Sequence, residues 1–248
     1  MNQNRKTVVV TGASKGMGLA IVTRLAQDGY DIIAHYNSGN IEQAQKICEE
    51  AKVNFTALQA DLSREDEIIS LAQKINACGD IYGLVNNAGV CLFEDFFDIS
   101  VRNYDFTFNV NMKAPFILTQ QISRQMKERG IHGRIINFSS ITAVSASATQ
   151  VHYGAAKGAV SAFTRMAAEA LGKYGITVNA VMPGPTPTKH NSAYLAQDAT
   201  RQELCSRMPM GTYGKPEYIA DAVAYFLGEK ACWTTGVLLP VDGGYLAK

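Results

Sequence analysis

Apolar residues along this chain alternate between two periods. Val8-Val9-Val10, three β-branched residues in a row, reads as a strand buried on both faces. Straight after it Leu19, Ile21, Val22 and Leu25 recur at helical spacing. The exchange repeats to the end of the chain. Residues 31–36 read as a second strand, 41–51 as a helix, and 55–60 as a third strand. A helix through Ile75 follows, which Ser63 and Asp66 are expected to open as a capping box. Residues 81–85 form the next strand, 100–129 a long helical region interrupted near Pro115, 134–138 a fifth strand, and 152–171 a helix rich in Ala and Gly. Residues 176–181 read as a sixth strand stopped by Pro183-Gly184-Pro185, 216–227 as an amphipathic helix with proline in its first turn, and 236–241 as a last strand. Between 186 and 209 the pattern is polar and weakly periodic, which reads as a helical excursion or lid.

Such strict alternation predicts an α/β fold: a Rossmann-type, doubly wound parallel sheet of about seven strands in three layers, with residues 1–248 as a single domain. In sheets of this kind ligands bind at the carboxyl ends of the strands, so the informative residues are those just after each strand. A hydrophobic fraction of 47% and a charged fraction of 18% fit one substantial core. A net charge of +1 gives no reason to expect nucleic acid or an anionic membrane as partner. No apolar run approaches the ~18 residues of a membrane span, and the polar stretch from Met1 to Thr7 leaves no room for a signal peptide. Five scattered cysteines without a Cys-x-x-Cys pair suit reduced thiols in a cytoplasmic protein, and four separated histidines offer no metal-ligand spacing.

Two stretches carry chemistry. In Thr11-Gly12-Ala13-Ser14-Lys15-Gly16-Met17-Gly18 the glycines sit between a strand and a helix, where exposed backbone N–H groups bind phosphate and a missing Cβ lets a pyrophosphate approach. A dinucleotide is therefore the first expected ligand. Further on, Tyr153 and Lys157 are four apart and share a helix face. An ammonium near a phenol, whose ordinary pKa is ~10, favours the phenolate and makes an acid/base for a substrate oxygen. Ser139-Ser140 ends the preceding strand, and Asn111 sits mid-helix, where an amide is a mediocre helix former.

With these motifs in order, the chain resembles the short-chain dehydrogenase/reductase family over essentially its whole length. The matching residues are Thr11 to Gly18, Asp61, Asn86-Asn87-Ala88-Gly89, Asn111, Ser140, Tyr153 with Lys157, and Pro183-Gly184 followed by Thr188. The three residues between the first two glycines match the short, single-domain branch. The resemblance implies that Tyr153 is the general acid/base and that Lys157 lowers its pKa and binds the nicotinamide ribose. Ser140, thirteen positions before Tyr153, would hold the substrate oxygen, and Asn111 would anchor a water of the proton relay. Gly12, Ser14, Lys15, Gly16, Met17, Gly18, Tyr36, Asn37, Ser38, Asp61, Leu62, Asn86, Asn87, Ala88, Gly89, Pro183, Gly184, Thr186 and Thr188 would hold the cofactor. Asp61 as part of a helix start, and Asn86 as a tie between strands, remain alternatives.

The second strand ends His35-Tyr36-Asn37-Ser38 without the acid that binds a ribose diol, while Lys15 can reach a 2′-phosphate. NADP(H) is therefore expected ahead of NAD(H), which stays possible. The expected activity is hydride transfer between nicotinamide and a carbonyl or secondary alcohol of a small polar substrate such as a sugar, polyol or sugar acid. Cys91, Thr142, Val144, Ser145, Thr149, His152 and Pro185 are expected to line the pocket, together with a lid that carries Lys189, His190, Asn191 and Tyr194. Two rival readings are a 3-oxoacyl-[acyl-carrier-protein] reductase and a non-catalytic dinucleotide-sensing protein. Members of the family are usually tetramers, so a homotetramer or homodimer is expected.

Overall fold

The structure, a computed structural model, describes residues 5–188 and 195–247. Seven parallel strands form one sheet: β1 (Thr7–Thr11), β2 (Asp31–Tyr36), β3 (Phe55–Gln59), β4 (Ile81–Asn86), β5 (Arg134–Phe138), β6 (Thr177–Pro183) and β7 (Leu238–Val241). They lie in the order β3-β2-β1-β4-β5-β6-β7. The connections between them carry the helices α1 (Gly16–Gln27), α2 (Glu42–Glu50), α3 (Glu65–Ala77), α4 (Val101–Phe108), α5 (Ala114–Glu128), α6 (Val151–Gly172), α7 (Asp198–Arg207) and α8 (Pro216–Leu227).

The run of three valines in β1 has a direct cause. Val8 and Val10 point into one core with Ile21, Val22 and Leu25 of α1 and Val223, Phe226 and Leu227 of α8, whereas Val9 points into the other with Leu84, Ile135 and Val178. Helices cover both faces, so neither side chain set can be polar. Chain order reverses on the two sides of β1, which pairs with β2 on one side and β4 on the other. That is the switch point at which such a sheet opens a crevice.

The strands at 31–36 and 134–138 and the helix at 216–227 have the expected limits. Two expectations are corrected, and the interruption near Pro115 takes a definite form. α3 is not opened by a Ser63–Asp66 capping box. Its start is held by Asp61, whose Oδ1 accepts from the Ser63 N–H at 2.9 Å, and by Glu67, whose carboxylate accepts from the Asp61 N–H at 2.7 Å. The long helix breaks one turn before Pro115, as a wide π turn over Asn109–Lys113 in which the Ala114 N–H bonds to the Asn109 carbonyl. Proline at 115 cannot donate to the carbonyl four residues back, that of Asn111, so the regular ladder lapses there. β6 runs on to Pro183, beyond its expected end. Within 186–209 the described part is helical over α7, while Lys189, His190, Asn191 and Tyr194 lie outside the described residues. Among the described residues no helix is long and apolar enough to cross a membrane.

Candidate active site

The turn after β1 is built for close approach. Gly12 and Gly16 have φ of +68° and +56°, a region costly for any residue with a Cβ. A Cβ on Gly12 would stand 3.0 Å from Ala88 Cα, and one on Gly16 would press on Thr188 at 3.3 Å. α1 begins with no side-chain cap and no acid in its first turn, so its leading N–H groups face the crevice with the positive end of the helix dipole behind them. Asn87 fixes the turn from the neighbouring strand end: its Nδ2 donates to the carbonyls of Thr11 at 2.8 Å and Gly12 at 3.3 Å, while the Ala88 N–H donates to Thr11 Oγ1 at 3.0 Å.

Cavities flank this turn on both sides. One, of about 660 Å³, is lined by Met17, Asn87, Gly89, Ser140, Tyr153, Lys157 and the segment Pro183 to Thr186 with Thr188. The other, of about 550 Å³, is lined by Ser14, Lys15, Ser38, Gly39, Asn40, Glu42, Gln43 and Lys46. A bare glycine-rich helix start lies between them, a cradle that a dinucleotide fits with its pyrophosphate on the turn and one end in each cavity.

In the larger cavity β5 and α6 converge. Ser140 Oγ accepts from the Thr142 N–H at 3.1 Å and from Thr142 Oγ1 at 2.8 Å, and it lines the cavity together with the Tyr153 phenol, whose pKa it pulls down. Ser139 points the other way, bonded to Ser161 at 2.7 Å and to the Lys157 carbonyl at 3.0 Å. Both serines line the cavity, but the Ser139 hydroxyl is committed to Ser161 and the Lys157 carbonyl, which leaves Ser140 to face a ligand. Lys157 is buried, donates to the Phe138 carbonyl at 2.7 Å and lies 5.7 Å from the centre of the Tyr153 ring.

Burial pushes the Tyr153 phenol up, with the Cys91 thiol adding to the rise and the Ser140 hydrogen bond opposing it. Burial likewise brings Lys157 down to about 8, against a smaller pull upward from Cys91. The expected lowering of the phenol by Lys157 is therefore not the dominant effect in this cavity, because the ammonium donates its hydrogen bond to the Phe138 carbonyl and both groups are desolvated.

Asn111, fully buried in the π turn, is consumed locally. Its Nδ2 donates to the carbonyls of Val90 at 2.8 Å and Thr107 at 2.9 Å, and its Oδ1 accepts from the Val90 N–H at 3.3 Å. The side chain pins the loop after β4; what remains for a water is the carbonyl that Pro115 cannot engage. Gly89 has to be small here, since its Cβ would lie 2.8 Å from Asn111 Oδ1. A Cβ on Gly184 would likewise meet Asp242 Cα at 2.6 Å. Thr186 is buried and donates to the Gly184 carbonyl at 3.1 Å.

Other expected site residues fall elsewhere. Asn86 is buried and donates to Thr119 and Asn137, the strand tie left open above. Leu62 sends its side chain into the core. Asp61 is engaged at the start of α3, and Tyr36 and Asn37 give their carbonyls to Ala60 and Gln59. None of these lines either cavity. Cys91, Thr142, Ser145 and Pro185 do line the larger one, whereas Val144, Thr149 and His152 do not. His152 turns inward, with Nε2 3.4 Å from Glu94.

Sequence reasoning missed His35. It is buried in β2 and bridges two strand ends, with Nδ1 accepting from the Gly12 N–H at 3.3 Å and Nε2 donating to the Ala60 carbonyl at 3.0 Å. The bond from Gly12 requires an unprotonated Nδ1 and so the neutral ring, and burial holds the pKa below the ordinary 6.5 against the Ala60 hydrogen bond and Asp61, which favour the charged form. The stability His35 contributes is then complete above about pH 6.5 and is lost as pH falls through its lower, folded-state value. In urea unfolding at about pH 7.5 and about pH 5.5, the wild type is expected to lose more stability between the two than His35→Asn. Equal losses would remove His35 from this role.

A family model described as enoyl-(acyl carrier protein) reductase matches residues 12–246. The chain is 36% identical to an L-rhamnose 1-dehydrogenase (NADP(+)) from Thermoplasma acidophilum over 244 residues, covering 97% of this chain and 96% of the relative. It is 33% identical to a 3-oxoacyl-[acyl-carrier-protein] reductase from Staphylococcus aureus, with 96% and 97% covered. A solved structure from Agrobacterium tumefaciens, of a protein proposed to be a 2-deoxy-D-gluconate 3-dehydrogenase with bound NADP, superposes with a TM-score of 0.92 at 30% identity, covering 98% of this chain and 97% of that one.

Proposed function

The chain belongs to the short-chain dehydrogenase/reductase family, and we propose that it is an NADP(H)-preferring oxidoreductase acting on a carbonyl or secondary alcohol of a sugar, sugar acid or similarly small polar compound. The observation that carries this reading is the common cavity: Ser140, Tyr153 and Lys157 face the same space as Gly89 and Thr188, at one end of the glycine cradle. Bound there, the nicotinamide supplies or accepts the hydride. Ser140 holds the substrate oxygen in hydrogen-bond reach of Tyr153, and the phenol gives that oxygen its proton in reduction or takes it in oxidation. Lys157, a buried cation beneath the phenol, offsets the charge that develops there and hydrogen-bonds the ribose. Asn111 keeps the loop after β4 in place so that Gly89 remains open to the cofactor.

The polar lining, with Thr142, Ser145, Gln150, Glu203 and Arg207 joining the hydroxyls at the centre, supports a hydroxylated substrate. The sugar-directed names of the Thermoplasma and Agrobacterium relatives support it further. Leu92, Phe93 and Phe106 add an apolar wall, and this, with the Staphylococcus relative, keeps 3-oxoacyl thioester reduction as the second reading. Exposed apolar residues on α4 to α6 (Val101, Tyr104, Phe116, Met166) and around β7 (Trp233, Val237) support a homotetramer or homodimer.

Steady-state kinetics with NADPH and NADH against L-rhamnose, sugar acids, ketoses and acetoacetyl thioesters tests the proposal. NADPH is expected to give a kcat/KM at least about tenfold above NADH, with turnover on the sugar group. A higher value with NADH overturns the cofactor preference, and turnover confined to thioesters replaces the substrate class.

A further inference from the structure

The smaller cavity, beside the glycine turn, contains a cation that sequence order hides. Lys15 enters it from the turn after β1 and Lys46 from the second turn of α2, together with the hydroxyls of Ser14 and Ser38 and the amide of Gln43. Glu42 lines the same cavity, one helical turn before Lys46. Its carboxylate is engaged by Asn40, whose Nδ2 donates to Oε2 at 2.7 Å while Asn40 Oδ1 accepts from the Glu42 N–H at 2.6 Å. Neither lysine pairs with Glu42. Among the described residues no carboxylate pairs with Lys15, and the partner of Lys46 is Glu50 at 3.9 Å, both side chains largely exposed. So loose an exposed pair holds Lys46 with little energy and leaves it free to swing toward a stronger anion.

Two ammonium groups from separate elements, hydroxyls in the same cavity and no guanidinium describe a site for a compact dianion rather than for a planar carboxylate. A phosphate monoester takes such point-charge donors. A ribose diol needs an acceptor, and the one carboxylate that lines this cavity among the described residues is already bonded to Asn40. We infer that Lys46 is the second cation of a 2′-phosphate site and that, with Lys15, it determines the preference for NADP(H) over NAD(H). This rests on the NADP(H) reading above. Lys46 also offsets Glu42, which would otherwise repel the dianion, so the two positions on α2 act against one another in setting the preference.

Isothermal titration of the whole protein with adenosine 2′,5′-bisphosphate and with 5′-AMP tests this without turnover. The wild type is expected to bind the bisphosphate more tightly. Lys46→Met is expected to weaken the bisphosphate by roughly tenfold, the scale of one lost charge-assisted hydrogen bond, to leave 5′-AMP within about twofold, and to flatten the salt dependence of bisphosphate binding. Lys15→Met is the companion variant. If the wild type prefers the bisphosphate, Lys15→Met loses that preference and Lys46→Met keeps it, the role of Lys46 is overturned while the NADP(H) reading stands. If the wild type shows no preference, both fall. Equal weakening of both ligands by Lys46→Met, with an unchanged melting temperature, also rejects the assignment.

Discussion

Tyr153→Phe is expected to lower kcat by about 10²- to 10⁴-fold and to leave the dissociation constant for NADPH within about twofold. The variant keeps the ring that Lys157 lies over and deletes one oxygen, so packing against the cavity wall is retained. What disappears is the phenolic oxygen that shares the cavity with Ser140. Burial raises the phenol above its ordinary value, so near neutrality it holds its proton. That suits carbonyl reduction, whose rate should stay level below about pH 7 and fall above it as Lys157, brought down to about 8, loses its charge, before the phenol titrates. Alcohol oxidation needs the phenolate and should rise with pH from about 6 to 8. Tyr153→Phe should lose that rise. Measuring kcat in both directions from about pH 6 to 10, with NADPH binding followed by fluorescence, checks this. Turnover near the wild-type level would reject Tyr153 as the proton donor.

The layers of the fold were readable because burial on both faces of a parallel strand forces runs such as Val8-Val9-Val10, and because each helix repeats its apolar stripe. The glycine turn and the Tyr153–Lys157 spacing were readable because their geometry is local. What stayed hidden depends on partners remote in sequence. His35 looked like any strand residue, since its bond to Gly12 joins two strand ends. Lys46 looked like one more charge on an exposed helix until α2 folded beside Lys15. Asn111 was marked as a poor helix former, but apolar periodicity does not distinguish an α turn from a π turn, and the reason for the amide, its grip on Val90, is tertiary. Ser63 and Asp66 had the spacing of a cap, yet the Asp61 carboxylate reached the Ser63 N–H first. The raised phenol also has a nonlocal cause: spacing revealed the nearby ammonium but not the desolvation that outweighs it.

Gly18→Ala is expected to weaken dinucleotide binding by more than about 100-fold, some 2.7 kcal/mol or more, and to lower the melting temperature. Gly18 lies in the first turn of α1 without a positive φ, so alanine suits its backbone and by helix propensity would gain about 1 kcal/mol. The loss is steric. A Cβ there would overlap the Gly12 carbonyl oxygen outright and stand 2.7 Å from Asn87 Nδ2. Neither neighbour is free to retreat: Asn87 is bonded to the carbonyls of Thr11 and Gly12, and Gly12 Cα already faces Ala88. Relief must come from parting α1 from the strand ends, which opens the cradle that holds the pyrophosphate. Overpacking of this kind costs about 1–3 kcal/mol, or roughly 2–12 °C in a chain of this size. Gly29→Ala is the matched control, because Gly29 has a φ of +86° with open space around it. It should lose a similar amount of stability through backbone strain and keep its dinucleotide affinity. Scanning fluorimetry and NADPH titration of both variants separate the two effects, and a Gly18→Ala protein that binds NADPH like the wild type would mean that the helix start is not where the pyrophosphate sits.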